Sequence, residues 1–260
     1  MIQAFKMAMK SISGNKFRAF LTMLGIIIGV MALVILVSLV SGATGTVTDT
    51  ISSLGNNLLS ISVSDDKGAP VTLDTLNEWI EEPDIGLAAP SVTGSATGKY
   101  GSTSKTMTLY GATPSYAAIN GLELLLGRFL NEADVENHTN VCVIPEKTAE
   151  DMVGYSDCLG EELSLDGVKY TVVGILKNDD ESLTGILTRD SMMAYLPVTS
   201  LQRLSTTVGS AFSSFYVSAP EGGNLTETEN VMKGILMKRF QEDEDAFSIL
   251  SQNMLEDAMS

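Results

Sequence analysis

Residues 140–176 read NVCVIPEKTAEDMVGYSDCLGEELSLDGVKYTVVGIL. The apolar run at 140–144 predicts a strand, and residues 146–153 predict a helix. Residues 161–165 and 168–176 flank Asp166-Gly167 and predict a hairpin. A two-residue hairpin turn needs positive φ, which Asp and Gly tolerate best. Working outward, residues 57–64 (NLLSISVS) alternate like a strand. Residues 72–82 read as a helix with Thr72 or Asp74 near its cap. Residues 87–97 and 105–110 are strand candidates, and 114–120 a short helix. On the C-terminal side, 193–196 predict a strand, 198–204 a helix and 212–218 (FSSFYVS) a strand. Residues 225–240 form a long helix and 246–250 a last strand. Helices alternating with strands around a β-rich middle predict an α/β (α+β) body with an inserted lobe. No repeat divides it.

The 260 residues are 44% hydrophobic and 18% charged. That balance excludes a disordered chain, a collagen-like fibre and a small disulfide scaffold. The net charge of −16 is unevenly spread. Lys6, Lys10, Lys16 and Arg18 are the only charged residues up to position 48, and from residue 49 onward 12 basic and 32 acidic residues give −20. An acidic body repels phosphates and argues against a nucleic-acid partner.

Between head and body lies AFLTMLGIIIGVMALVILVSLV, 22 residues from 19 to 40. A helix of that length spans roughly 33 Å, enough to cross the hydrocarbon core of a bilayer. The run is apolar on every face and exceeds the core of about 7–15 residues in a signal peptide. Ser41-Gly42-Ala43 nevertheless has the small residues of a cleavage site, so cleavage stays the alternative. Gly25 and Gly29 form a small-xxx-small pair that would let a second membrane helix approach, although glycines are common in such helices anyway. The four basic residues precede the span, so the N-terminus is expected in the cytoplasm and the body outside it. In residues 1–17, Ile2, Phe5, Ala8, Met9 and Ile12 fall on one helical face. This suits either a surface helix whose lysines meet lipid phosphates or an unstructured basic flank.

The body offers little catalytic chemistry. His138 is the only histidine, which excludes a two-histidine metal motif. Cys142 and Cys158 lack C-x-x-C spacing. Outside the cytoplasm they could form a disulfide or remain two reduced, partly buried thiols. Residues 94–100 (GSATGKY) imitate a phosphate loop but have three residues between the glycines, and Tyr100 follows the lysine. A true loop needs four residues there and Ser or Thr in that place. The acids at 242–245 read as a solvated turn, since no spaced ligand pattern accompanies them.

The stretch NKFRAFLTMLGIIIGVMALVILVSLVSG, followed by ISSLGNNLLSISV, resembles the start of MacB-type permeases of the FtsX-like ABC transporter superfamily. Asn15, Lys16, Arg18, Leu21, Thr22, Leu24, Gly25, Ile26, Gly29, Gly42 and residues 54–59 (LGNNLL) match in order. Gly127-Arg128-Phe129, Gly160, residues 170–174 (YTVVG) and Leu196-Pro197 follow in the family's sequence. The resemblance implies a cytoplasmic amphipathic segment at 1–18, a transmembrane helix at 19–41 and an extracytoplasmic domain at 42–260. That domain would have a porter-like α/β lobe and a smaller β-rich inserted lobe at about 111–206. Three more membrane helices and a coupling segment would follow Ser260. The resemblance further implies a non-catalytic subunit in the plasma membrane of a bacterium. ATP and Mg would sit on a partner ATPase, with none bound here. Its partners would be membrane lipid, that ATPase, a second permease in a homodimer or heterodimer, and an extracytoplasmic adaptor. Antibiotics, peptides or lipoproteins would be expelled or handled outside the membrane. The transmitted motion needs a rigid lever, which residues 21–54 would provide, with Gly42 and Gly45 as a hinge. The other readings are a single-pass anchored sensor or binding module and an FtsX-like regulator of a cell-wall hydrolase.

Overall fold

The computed structural model describes residues 17, 20, 21, 23–32, 34, 58–178, 191–205 and 207–251. The chain divides into two units, residues 1–48 and 49–260. In the first, the described residues are helical, and Phe17, Phe20, Ile26, Ile28 and Met31 are exposed. Among the described residues no helix is long and apolar enough to cross a membrane. The expected span at 19–41 lies only partly within them, and Lys6, Lys10, Lys16, Arg18, Gly42 and Gly45 lie outside.

The second unit runs in the order β1 (Leu58–Val63), α1 (Leu73–Trp79), β2 (Ala88–Pro90), β3 (Val92–Tyr100), β4 (Thr103–Ala112), α2 (Pro114–Ile119), β5 (Leu124–Gly127) and α3 (Glu132–Glu136). It continues with β6 (Val141–Pro145), α4 (Glu146–Met152), β7 (Glu162–Leu165), β8 (Val168–Leu176), β9 (Met193–Pro197) and α5 (Val198–Leu204). It ends with β10 (Ser214–Ser218), α6 (Leu225–Arg239), a 3-10 turn (Glu244–Ala246) and β11 (Phe247–Ser251).

Four strands form an antiparallel sheet in the order β11-β1-β10-β2. Alternation decides its faces. Leu59 and Ile61 on β1 and Phe215 and Val217 on β10 point into one core, while Ser62 is exposed. α1 and α6 cover that core with Leu76, Trp79, Met232 and Leu236. The rings of Trp79 and Phe215 lie 5.5 Å apart. Thr72 caps α1, as its position before the apolar stripe predicts, and Asn224 caps α6 through the Thr226 N–H at 2.9 Å. Lys238 and Arg239 sit in the last turn of α6, where they complement the helix dipole. Arg239 also donates to the carbonyls of Ala69 (3.0 Å) and Pro70 (2.8 Å), tying the entry of α1 to the end of α6.

The remaining strands form a second sheet ordered β5-β8-β6-β9-β4-β3-β7, and β7 also pairs with β8. That extra pairing closes β8, β6, β9, β4, β3 and β7 into a barrel, with β5 beside the end of β8. Closure removes most free edges. Asp166 and Gly167 turn the β7–β8 hairpin with φ of 46° and 90°, the paired positive values that such a turn needs. Met107, Leu109, Ile144, Leu163, Leu165 and Tyr170 fill the interior. At Gly174 a side chain would run into the backbone carbonyl of Arg128, so only glycine lets β8 approach this closely.

Candidate functional site at the junction of the two lobes

The chain crosses between the sheets twice, once at Ser91 between β2 and β3 and once between α5 and β10. Between the sheets lies a third core. Leu58 and Ala89 come from the four-stranded sheet, and Ala112, Tyr116, Ile119, Val143 and Tyr195 from the barrel side. Its character is aromatic. Tyr110 stacks on Tyr195 at 5.2 Å, and Tyr116 reaches Tyr195 at 6.0 Å and Tyr216 at 6.3 Å. Phe129 adds a contact to Tyr195 at 6.2 Å. Tyr216, on β10, accepts a hydrogen bond from Ser91 Oγ at 3.3 Å in the first crossover. Burial, followed by the neighbouring phenols, pushes Tyr116 and Tyr195 up from the ordinary value of 10.0. They stay neutral at physiological pH and act as packing groups.

An ion pair braces this core. The Arg128 guanidinium grips the Asp134 carboxylate with both forks, Nη2 reaching Oδ1 at 3.2 Å. Asp134 also completes a capping box with Asn131, the side chain and backbone of each serving the other at 2.9 and 3.0 Å. Burial pushes the Asp134 carboxyl up, but Arg128, the Asn131 N–H and the Thr139 hydroxyl outweigh it and hold it below the ordinary value of 3.8. Thr199 donates to the Val135 carbonyl (2.6 Å) and Ser200 to that of Thr139 (2.9 Å), seating α3 against α5. The Gly127-Arg128-Phe129 segment, singled out by its resemblance, thus supplies the clamp on Asp134 and a ring against Tyr195.

The other residues noted in the sequence are scattered. Cys142 and Cys158 are both free thiols, buried in the barrel core, and burial pushes each up from 9.0. The disulfide left open by the sequence is not made in this structure. Gly25 and Gly29 have open space where a side chain would be. Gly94, Gly98 and Lys99 lie along β3, so the imitation of a phosphate loop is a strand. His138 is exposed in the turn after α3 with a φ of 51°. The acids after α6 are used structurally. Asp243 pairs with Lys67 at 2.8 Å, and Glu244 with Lys233 at 3.3 Å. Among the described residues no group of three or more His, Cys, Asp or Glu side chains is placed to hold a metal ion. The tyrosine cluster escaped the sequence reading because its members come from β4, α2, β9 and β10, with no common spacing.

Known proteins share this fold. The crystal structure of the periplasmic region of MacB from Actinobacillus actinomycetemcomitans superposes with a TM-score of 0.67 at 21% identity, covering 80% of this chain and 95% of that one. The extracellular domain of the noncanonic ABC-type transporter YknZ from Gram-positive bacteria gives 0.60 at 18% identity, covering 75% and 100%. In sequence, the macrolide export ATP-binding/permease protein MacB of Neisseria gonorrhoeae is 29% identical over 245 residues, 92% of this chain and 37% of that protein. Its counterpart in Shewanella sp. (strain W3-18-1) is 31% identical over 210 residues, 77% of this chain and 32% of that protein. The chain therefore spans only about a third of the length of these relatives. The family model of the MacB-like periplasmic core domain matches residues 19–235, which hold every barrel strand, the aromatic junction and three of the four strands of the other sheet, and the chain belongs to that family.

Proposed function

We propose that the chain supplies the first membrane helix and the extracytoplasmic domain of a permease subunit of an ABC transporter. The observation that carries this is the family match running from residue 19 through both lobes. In this reading residues 19–41 cross the membrane, residues 1–18 lie on its cytoplasmic surface, and the body stands outside. Lys6, Lys10, Lys16 and Arg18 rest at lipid phosphates, and Gly25 and Gly29 face a second membrane helix. The subunit is not itself an enzyme. ATP and Mg are bound by a partner ATPase, the permease works as a homodimer or heterodimer, and an adaptor joins it outside. The cargo class is an antibiotic, a peptide or a lipoprotein.

The described fold suggests how motion is passed on. Among the described residues β1 is the first strand of the chain, and it lies inside its sheet, between β11 and β10. Leu59 and Ile61 hold the α/β core, and Leu58 belongs to the aromatic junction. A displacement of β1 thus reaches the barrel through packed side chains. Topology is tested with Ser64→Cys, an exposed position. An impermeant thiol reagent should label it in intact cells, and labelling only after lysis overturns the reading. Coupling is tested by reconstituting the full-length protein with its ATPase. Unchanged ATP hydrolysis with and without the permease removes the transporter assignment.

A further inference from the structure

A cavity of about 430 Å³ opens beside the two crossovers, lined among others by Ser91, Val92, Thr93, Thr207, Phe212 and Ser214. None of its lining residues is charged, in a chain of net charge −16. The volume suits a small-molecule or side-chain site. A second feature, independent of the cavity, adjoins it. β3 is paired with β4 along its whole length, but its other edge is paired with β7 only at Gly98 and Lys99. Backbone groups on a strand alternate between its edges, and those of the odd-numbered residues face away from β4. The Ser91 N–H donates on that side to the Ser214 carbonyl at 3.0 Å. The Thr97 N–H donates to Asp166 Oδ1 at 2.7 Å, and the Asp166 N–H returns to the Thr97 carbonyl at 3.1 Å. Between these two occupied positions, Thr93 and Ser95 turn their N–H and C=O groups outward with no partner among the described residues. Both residues are exposed.

We propose that this gap in the edge of β3, with the adjoining cavity, binds an extended peptide segment. The peptide adds as a short strand on Thr93 and Ser95 and places a small neutral side chain among the hydroxyls of the cavity. Both components point to the same chemistry. Strand addition takes its affinity from main-chain hydrogen bonds and its selectivity from a pocket for a side chain. A gap closed at Ser91 and Thr97 admits about four residues at roughly 3.3 Å each. An uncharged lining desolvates a neutral side chain at far less cost than a charged one. Because Ser91 and the residues 207–214 belong to the crossovers, an inserted peptide touches both lobes at once.

The full-length chain in detergent is titrated with a fluorescein-labelled, capped tetrapeptide of alanine and valine and followed by fluorescence anisotropy. Saturable binding is expected. The same peptide N-methylated at alternate residues cannot donate along one edge and should bind at least about tenfold more weakly. Ser95→Pro removes an N–H that faces away from β4 and should cause a similar loss. Thr97→Ala, whose backbone is already held by Asp166, should stay within about twofold. Absence of saturable binding, or equal binding of the N-methylated and parent peptides, overturns the proposal. The probe comparison on the unaltered chain decides the matter even where Ser95→Pro disturbs folding. No ATPase is present, so a negative result leaves the transport reading standing, and failure of that reading leaves this site intact.

Discussion

The two lobes obtain their edges and cores in opposite ways. The strands of the four-stranded sheet come from residues 58–63, 88–90, 214–218 and 247–251, while every barrel strand lies between Val92 and Pro197. The barrel is assembled from one continuous stretch of chain and closes on itself, whereas the sheet lobe must bring together segments separated by the whole barrel. Closing so long a loop costs chain entropy before any contact forms. The sheet lobe should therefore be the one that loosens first. Each lobe has its own reporter. Trp79, the only tryptophan, sits in the sheet core, and Cys142 and Cys158 are buried in the barrel.

The largest effect is expected for Phe215→Ala. This ring is fully buried between β1 and Trp79. Its removal should cost about 3–5 kcal/mol. In urea, the Trp79 fluorescence transition should move to lower denaturant while release of the thiols to a thiol-reactive reagent stays behind. If both transitions move together, the aromatic junction couples the lobes into one unfolding unit and the contrast fails. Gly174→Ala is the converse. Its new Cβ meets the Arg128 carbonyl, a backbone atom that cannot rotate aside. Overpacking of this kind should cost roughly 1–3 kcal/mol, and it should appear first in the thiols.

Asp134→Asn probes the brace between them. Its carboxylate is buried, but Arg128 is about half exposed (46%), so the pair is partly screened. A loss near ~1.5 kcal/mol is expected, at the low end for hydrogen bonds to charged groups. The pH dependence has a definite sign. Asp134 has its folded value below 3.8, so its contribution is complete well above that pH and falls away as the pH drops through the folded value. The gap between the native chain and Asp134→Asn should therefore narrow when urea titrations at pH 7 are repeated near pH ~3. A gap that widens in acid would mean that Arg128 does not hold the carboxylate.

Local pattern carried most of the elements, since residues 57–64, 114–120, 146–153, 161–176 and 198–204 each obey one period or one turn rule. What it could not carry was partnership. Residues 87–97 read as a single strand, yet the chain changes sheets at Ser91, leaving β2 in one and β3 in the other. Alternation records which face a side chain takes and is silent about which strand lies alongside. The hairpin at Gly101-Ser102 and closure of the barrel through β7 went unread for the same reason. β5 was missed because LLLG does not alternate, and α3 because five residues are too few to show a period. The junction was the least legible part. Its tyrosines become neighbours only once both crossovers are in place.

The finest test compares the two helix caps that differ most in geometry. Asn131 caps α3 at 2.9 Å while its own backbone N–H donates to the Asp134 carboxylate at 3.0 Å, so losing its side chain loosens the turn that presents the carboxylate that Arg128 grips. Thr72 caps α1 through one long bond of 3.4 Å to the Thr75 N–H, beside a hydroxyl–hydroxyl contact with Thr75 at 3.1 Å. Caps contribute roughly 0.5–2 kcal/mol, and Asn131→Ala should fall near the top of that range with Thr72→Ala near the bottom. The effects of Asn131→Ala and Asp134→Asn should not add, because both act on one network. Thr72→Ala should register in Trp79, which ends the same helix, and leave the thiols where they were. Equal losses at the two caps would mean that α3 is held by its contacts to α5 alone, and the brace would then be a consequence of the junction rather than a support for it.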